Sequence, residues 1–120
     1  MTSPQKRKGD SAEREAAELI GRLLSVPARR KLGAGRTTAA GGDTGDIDGV
    51  PGHVIQVASW SDTAAAARIK PVEAEAQAAN AREQFAATFV RFRGGTWRVV
   101  LTPEQWAAYV NLIWNQRWTP

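Results

Sequence analysis

No cysteine occurs among the 120 residues, which excludes disulfides and thiolate metal sites together. Histidine appears once, as His53, so Ser59 and Ser61 lack the histidine–acid partners that a serine hydrolase needs. No run approaches the roughly 20 apolar residues of a membrane-spanning helix. The basic N-terminal stretch MTSPQKRKGDSAERE has no apolar segment behind it and does not read as a signal peptide. Gly33-Ala34-Gly35-Arg36 lacks the Gly-Lys-Ser/Thr ending of a phosphate loop, which argues against nucleotide hydrolysis. A cytoplasmic protein with no membrane contact is the expectation.

What the chain does have is enough apolar residue, 42%, for one domain with one core. Residues 1–8 are expected to form a disordered basic arm, and residues 9–120 a single domain. Lysine and arginine number 16 against 12 acids, a net charge of +4. The distribution says more than the sum. Lys6-Arg7-Lys8, then Arg29-Arg30-Lys31 with Arg36, then Arg91, Arg93 and Arg98 form three clusters. Such clusters suit a phosphate backbone, and each alone also suits an ordinary solvated face.

Periodicity divides the domain. In the first helix Asp10 or Ser11 is the expected cap, with Glu13 in the first turn. Ala12, Ala16, Leu19, Ile20, Leu23 and Leu24 recur at helical spacing, and the helix ends before Pro27. That spacing sets Glu13 beside the apolar stripe and Glu15 and Glu18 on the far side. A short strand near residues 29–32 precedes a Gly- and Thr-rich loop at 33–44. Residues 46–50 and 53–60 then read as a hairpin. Val50-Pro51-Gly52 is its three-residue connection, with Gly52 at positive φ. This register sets Asp46 across from Gln56 and Asp48 across from Val54. Gln56, Ala58 and Trp60 share one strand face; Ile55, Val57 and Ser59 share the other.

Further along, Pro71 is expected to break the alanine-rich stretch or to start a helix there running to about Gln84. TFVRFRGGTWRVVLT is a second hairpin around Gly94-Gly95, with Val90 and Phe92 inward and Arg91 and Arg93 outward. Thr102, Pro103 and Gln105 open a last helix bearing Trp106, Tyr109, Val110, Ile113 and Trp114, with Trp118 after it. Trp114 and Trp118 are candidates for a dimer contact. The order implies an α/β or α+β domain with a mixed central β-sheet flanked by helices. Asp48 reads as a solvated hairpin acid and His53 as a surface polar residue.

Two stretches carry a resemblance. KGDSAERE, residues 8–15, is similar to the start of Holliday junction resolvases of the archaeal and phage type. GDIDG followed by HVIQVAS resembles the hairpin of the wider PD-(D/E)xK nuclease superfamily. The likeness spans about residues 8–101. It implies a restriction-endonuclease-like nuclease core and a Mg²⁺-dependent endonuclease, with Mn²⁺ as a substitute metal, acting as a homodimer on branched DNA. By position it implies Glu13 as the helix acid and Asp46 as the acid of the first hairpin strand. Gln56 stands where the family usually has an acid, and the Val57 carbonyl is a further metal ligand. Ala58 stands where the family has its lysine, a group that orients the attacking water. A methyl group does neither that nor charge stabilisation, and a loss of about 10²–10³ in rate follows. Lys6, Arg7, Lys8, Arg30, Lys31 and Arg36 are the expected phosphate contacts. The chain thus reads either as a junction-resolving endonuclease in an impaired form or as a non-catalytic dimer that binds structured DNA.

Overall fold

A computed structural model describes residues 4–31 and 45–117. The described elements are helix α1 (Pro4–Leu24), strands β1 (Arg29–Arg30), β2 (Ile47–Asp48) and β3 (His53–Ala58), helix α2 (Thr63–Ala81), strands β4 (Phe85–Phe92) and β5 (Thr96–Val100), and helix α3 (Pro103–Arg117). The result is a compact α+β fold. A mixed three-stranded sheet has the order β3-β4-β5, with β3 parallel and β5 antiparallel to the central β4. β1 and β2 form a separate antiparallel pair, with Arg29 opposite Asp48 and Arg30 opposite Ile47.

The sheet is covered on both faces, and strand alternation decides what each face meets. Ile55 packs with Ala17 and Ile20 of α1, and Val57 and Phe89 join them. Val54 and Ala86 turn the other way, onto Ala74 and Ala78 of α2. Ala58 and Val90 follow on that same side, against Ala66. The small residues of α2 let its backbone lie close to the strands.

Several expected boundaries move. α1 begins at Pro4, so Lys6, Arg7 and Lys8 are helical and not a disordered arm. Proline suits a first helical position, and Asp10 and Ser11 lie inside the helix instead of capping it. α2 begins at Thr63, eight residues before Pro71, which is buried in the helix interior. Its cap is Asp62, whose Oδ1 accepts the Ala65 N–H at 3.0 Å. The run of four alanines after Thr63 carries the helix through the proline, despite one missing N–H.

The first hairpin forms its turn but not the expected ladder. His53 N–H donates to Val50 O at 3.3 Å, and Gly52 takes φ 76°. Beyond the turn, Asp46 N–H donates to Ile55 O, so the backbone of Asp46 meets Ile55 and not Gln56. The second hairpin closes as expected, Phe92 opposite Thr96. At α3, Thr102 Oγ1 accepts the Gln105 N–H at 3.1 Å. Gln105 Oε1 does not close a capping box; it accepts the Ala86 N–H at 2.9 Å and ties α3 to the start of β4. His53, expected at the surface, stacks on Phe85 and hydrogen-bonds Tyr109 Oη at 2.6 Å.

Candidate functional site: two carboxylates bridged by Arg30

Asp46 reaches its position because of the residue before it. Gly45 has φ 99°, and a Cβ there would lie 2.9 Å from Val54 Cγ1. Only glycine allows this close approach to β3 in that conformation. The Asp46 carboxylate then accepts the Val57 N–H through Oδ2 at 2.8 Å. An acid side chain thus takes an edge donor of β3 that a neighbouring strand would otherwise bind.

Glu13 comes from α1. Its Oε1 accepts Arg30 Nε at 2.9 Å, and Arg30 Nη2 reaches Asp10 Oδ1 at 2.8 Å. One guanidinium on β1 therefore clamps two acids one turn apart on α1. Burial raises the pKa of Glu13, and the nearby Asp46 charge raises it further; the hydrogen bond and charge of Arg30 only partly oppose them. Arg30 itself is held more firmly in its charged form, first by its bond to Glu13.

Glu13 and Asp46 are thus brought together, beside Arg30 and Lys31. Lys31 N–H donates to Asp46 O at 2.8 Å, and Lys31 Nζ lies 4.0 Å from Asp48. Gln56 and Ala58 lie on the strand face of Val54, towards α2, whereas α1 covers the opposite face. Gln56 is 3% exposed and aligned with Thr88 of β4. The register expected to set Asp46 across from Gln56 is shifted by one residue, so Asp46 meets Ile55 through its backbone and Val57 through its side chain. Lys6 and Arg7 lie on α1, Lys8 is exposed there, and Arg36 and Trp118 fall outside the described residues.

Among the described residues no group of three or more His, Asp or Glu side chains could hold a metal ion. Glu13 and Asp46 remain as a two-carboxylate set. Mg²⁺ is commonly held by one or two carboxylates, with water and substrate phosphate completing its shell, so these two acids are the residues that could hold one. Arg30 would compete with the cation for Glu13.

Glu15 was expected on the outer side of α1. It instead accepts Arg91 Nε at 3.2 Å and Trp97 Nε1 at 2.9 Å, tying α1 to the second hairpin. The alternation of Arg91 with Val90 held the clue, since a sheet covered on both faces gives its second face a partner too. Where β3 and β4 end, Lys8, Ser59, Trp60, Arg91 and Arg93 line a cleft of about 480 Å³. The sequence marked Arg91 and Arg93 as basic but did not bring them to Lys8. Compared with protein-family models, curated proteins and solved structures, the chain matches none.

Proposed function

We propose that this protein is a structure-selective, branched-DNA endonuclease of the Holliday junction resolvase type, with cleavage weakened or lost. The observation that carries this reading is a half-buried Glu13, held by Arg30 and near enough to Asp46 to feel its charge, with Asp46 bound to the Val57 N–H at the edge of β3. The α+β class with a mixed sheet agrees with the class that the resemblance implies. Mg²⁺ or Mn²⁺ held by Glu13 and Asp46 would neutralise phosphate and lower the pKa of a bound water. Arg30, Lys31 and Lys8 offer positive charge around that point, which favours DNA with little sequence preference. Exposed Trp106, Ile113 and Trp114 on α3 support a homodimer, which a fourfold junction with paired cuts would suit.

A second reading, a dimeric DNA-binding protein without cleavage, is favoured by one fact. Ala58 is 1% exposed and packed on Ala66 and Val90, so no lysine side chain is accommodated there.

A labelled four-way junction with Mg²⁺ or Mn²⁺ separates the two. Symmetric nicks, abolished by Asp46→Asn, support the enzyme. Tight binding without nicks, unchanged by Asp46→Asn, supports the binding protein. Equal affinity for the junction and a linear duplex sinks both.

A further inference from the structure

We infer that the cleft at the carboxyl ends of β3 and β4 holds an unpaired nucleotide, its base stacked on Trp60 and its phosphates on Lys8 and Arg93. The inference rests on the DNA-binding reading and specifies which part of the DNA this surface takes.

Trp60 lies two residues past the end of β3 and does not enter the core: it is 37% exposed. It lines two adjoining cavities, of about 480 and 490 Å³, each within the size range of small-ligand sites. Lys8 lines both as well, and Arg91 and Arg93 line the first. Lys70 Nζ stands 5.6 Å from the centre of the Trp60 ring. Arg91 is engaged by Glu15. Lys8 and Arg93 have no ion pair among the described residues, and both are exposed. Ser59 and Ser61 add hydroxyls to the same walls.

An aromatic face set among cations selects a ligand that is flat and anionic at once. A nucleotide answers that description, through ring stacking and phosphate contact. A base inside a duplex has both faces covered by its neighbours and cannot stack on Trp60. A base at a branch point, a gap or a free end can. The cleft therefore complements the acid pair: Val57, whose N–H binds Asp46, also lines the second cavity.

The test is fluorescence anisotropy with a dye-labelled oligothymidylate of about 10 nucleotides and with a duplex of equal length. Trp60→Ala should weaken the oligothymidylate by about 10-fold, the effect of losing one base stack, and the duplex by less than about twofold. Trp60→Phe should restore most of the loss, and Arg93→Ala should weaken both and lower the salt dependence by about one unit. Thermal melting checks that each variant folds, and if the alanine variant does not, Trp60→Leu takes its place, since it keeps apolar bulk but offers no aromatic face for stacking. Equal losses on both ligands, or no loss on the single strand, overturn the inference. A Trp60-dependent single-strand preference without preference for a four-way junction would leave the inference standing and remove the resolvase reading. Junction preference with no effect at Trp60 does the reverse.

Discussion

At the scale of single residues, the unusual group is Glu13. Its folded pKa is raised above the ordinary value of 4.5 by burial and by Asp46. Below that ordinary value, folded and unfolded chains both hold the proton, and Glu13 carries no penalty. As pH rises, the unfolded chain releases its proton first and the folded chain holds it longer. Stability is therefore lost from about the ordinary value upward, until the folded pKa is passed. Glu13→Gln mimics the protonated acid at every pH. Urea melts should show the variant's stability, relative to the unsubstituted chain, growing as pH rises above the ordinary value of 4.5. A constant difference would mean that Arg30 fully compensates the burial. On the other face of the sheet, Thr88 is fully buried and its Oγ1 has no hydrogen-bond partner among the described residues. Thr88→Val keeps the shape and removes the stranded hydroxyl, so a gain of about 1 kcal/mol is expected by denaturant unfolding. A loss would reveal an ordered water bridging Thr88 to Gln77, whose Oε1 is also buried and unpartnered.

At the scale of elements, α2 shows how local signals and tertiary context compete. Pro71 reads as a start because proline is best tolerated in a first turn, yet it lies well inside the helix and is buried. Alanine propensity and the Asp62 cap, worth about 1 kcal/mol, begin the helix earlier. The proline remains a cost of about 3 kcal/mol, partly offset by the packing of its ring. Pro71→Ala should therefore stabilise the protein by about 1 kcal/mol, read as a higher midpoint in urea with an unchanged slope. Destabilisation would mean that the ring's packing outweighs the restored bond to Ala67. The hairpin signals were legible because they depend on local chemistry: Gly52 for one turn, Gly94-Gly95 for the other. The position of Asp46 was not legible. It depends on Gly45 closing onto β3 and on a side chain replacing a backbone acceptor, which shifts the pairing by one residue.

For the whole molecule, the α+β class and the covered mixed sheet followed from element order and alternation. The burial of Glu13 followed from the apolar stripe of α1, whereas its grouping with Asp46 was implied only by the resemblance. The side of the sheet on which Gln56 and Ala58 lie did not follow, because both faces of β3 are apolar and its pattern cannot tell α1 from α2. That ambiguity makes position 58 a test of the entire packing arrangement. Ala58 touches Ala66 and Val90, and the three are each within 1% of complete burial. A lysine there must carry three more carbons and an ammonium into the contact between sheet and α2. Overpacking costs about 1–3 kcal/mol, and an unpaired buried charge adds several more unless it loses its proton. Ala58→Lys is therefore expected to lower stability by at least about 3 kcal/mol and to leave cleavage of a four-way junction no better than before. Thermal melting and a Mg²⁺-dependent nicking assay on the same preparation read both consequences. If the variant melts at the temperature of the unsubstituted chain and nicks the junction, α2 yields to the lysine, which then reaches the acids across the strand. The two-faced packing described for β3 would then be wrong at its carboxyl end.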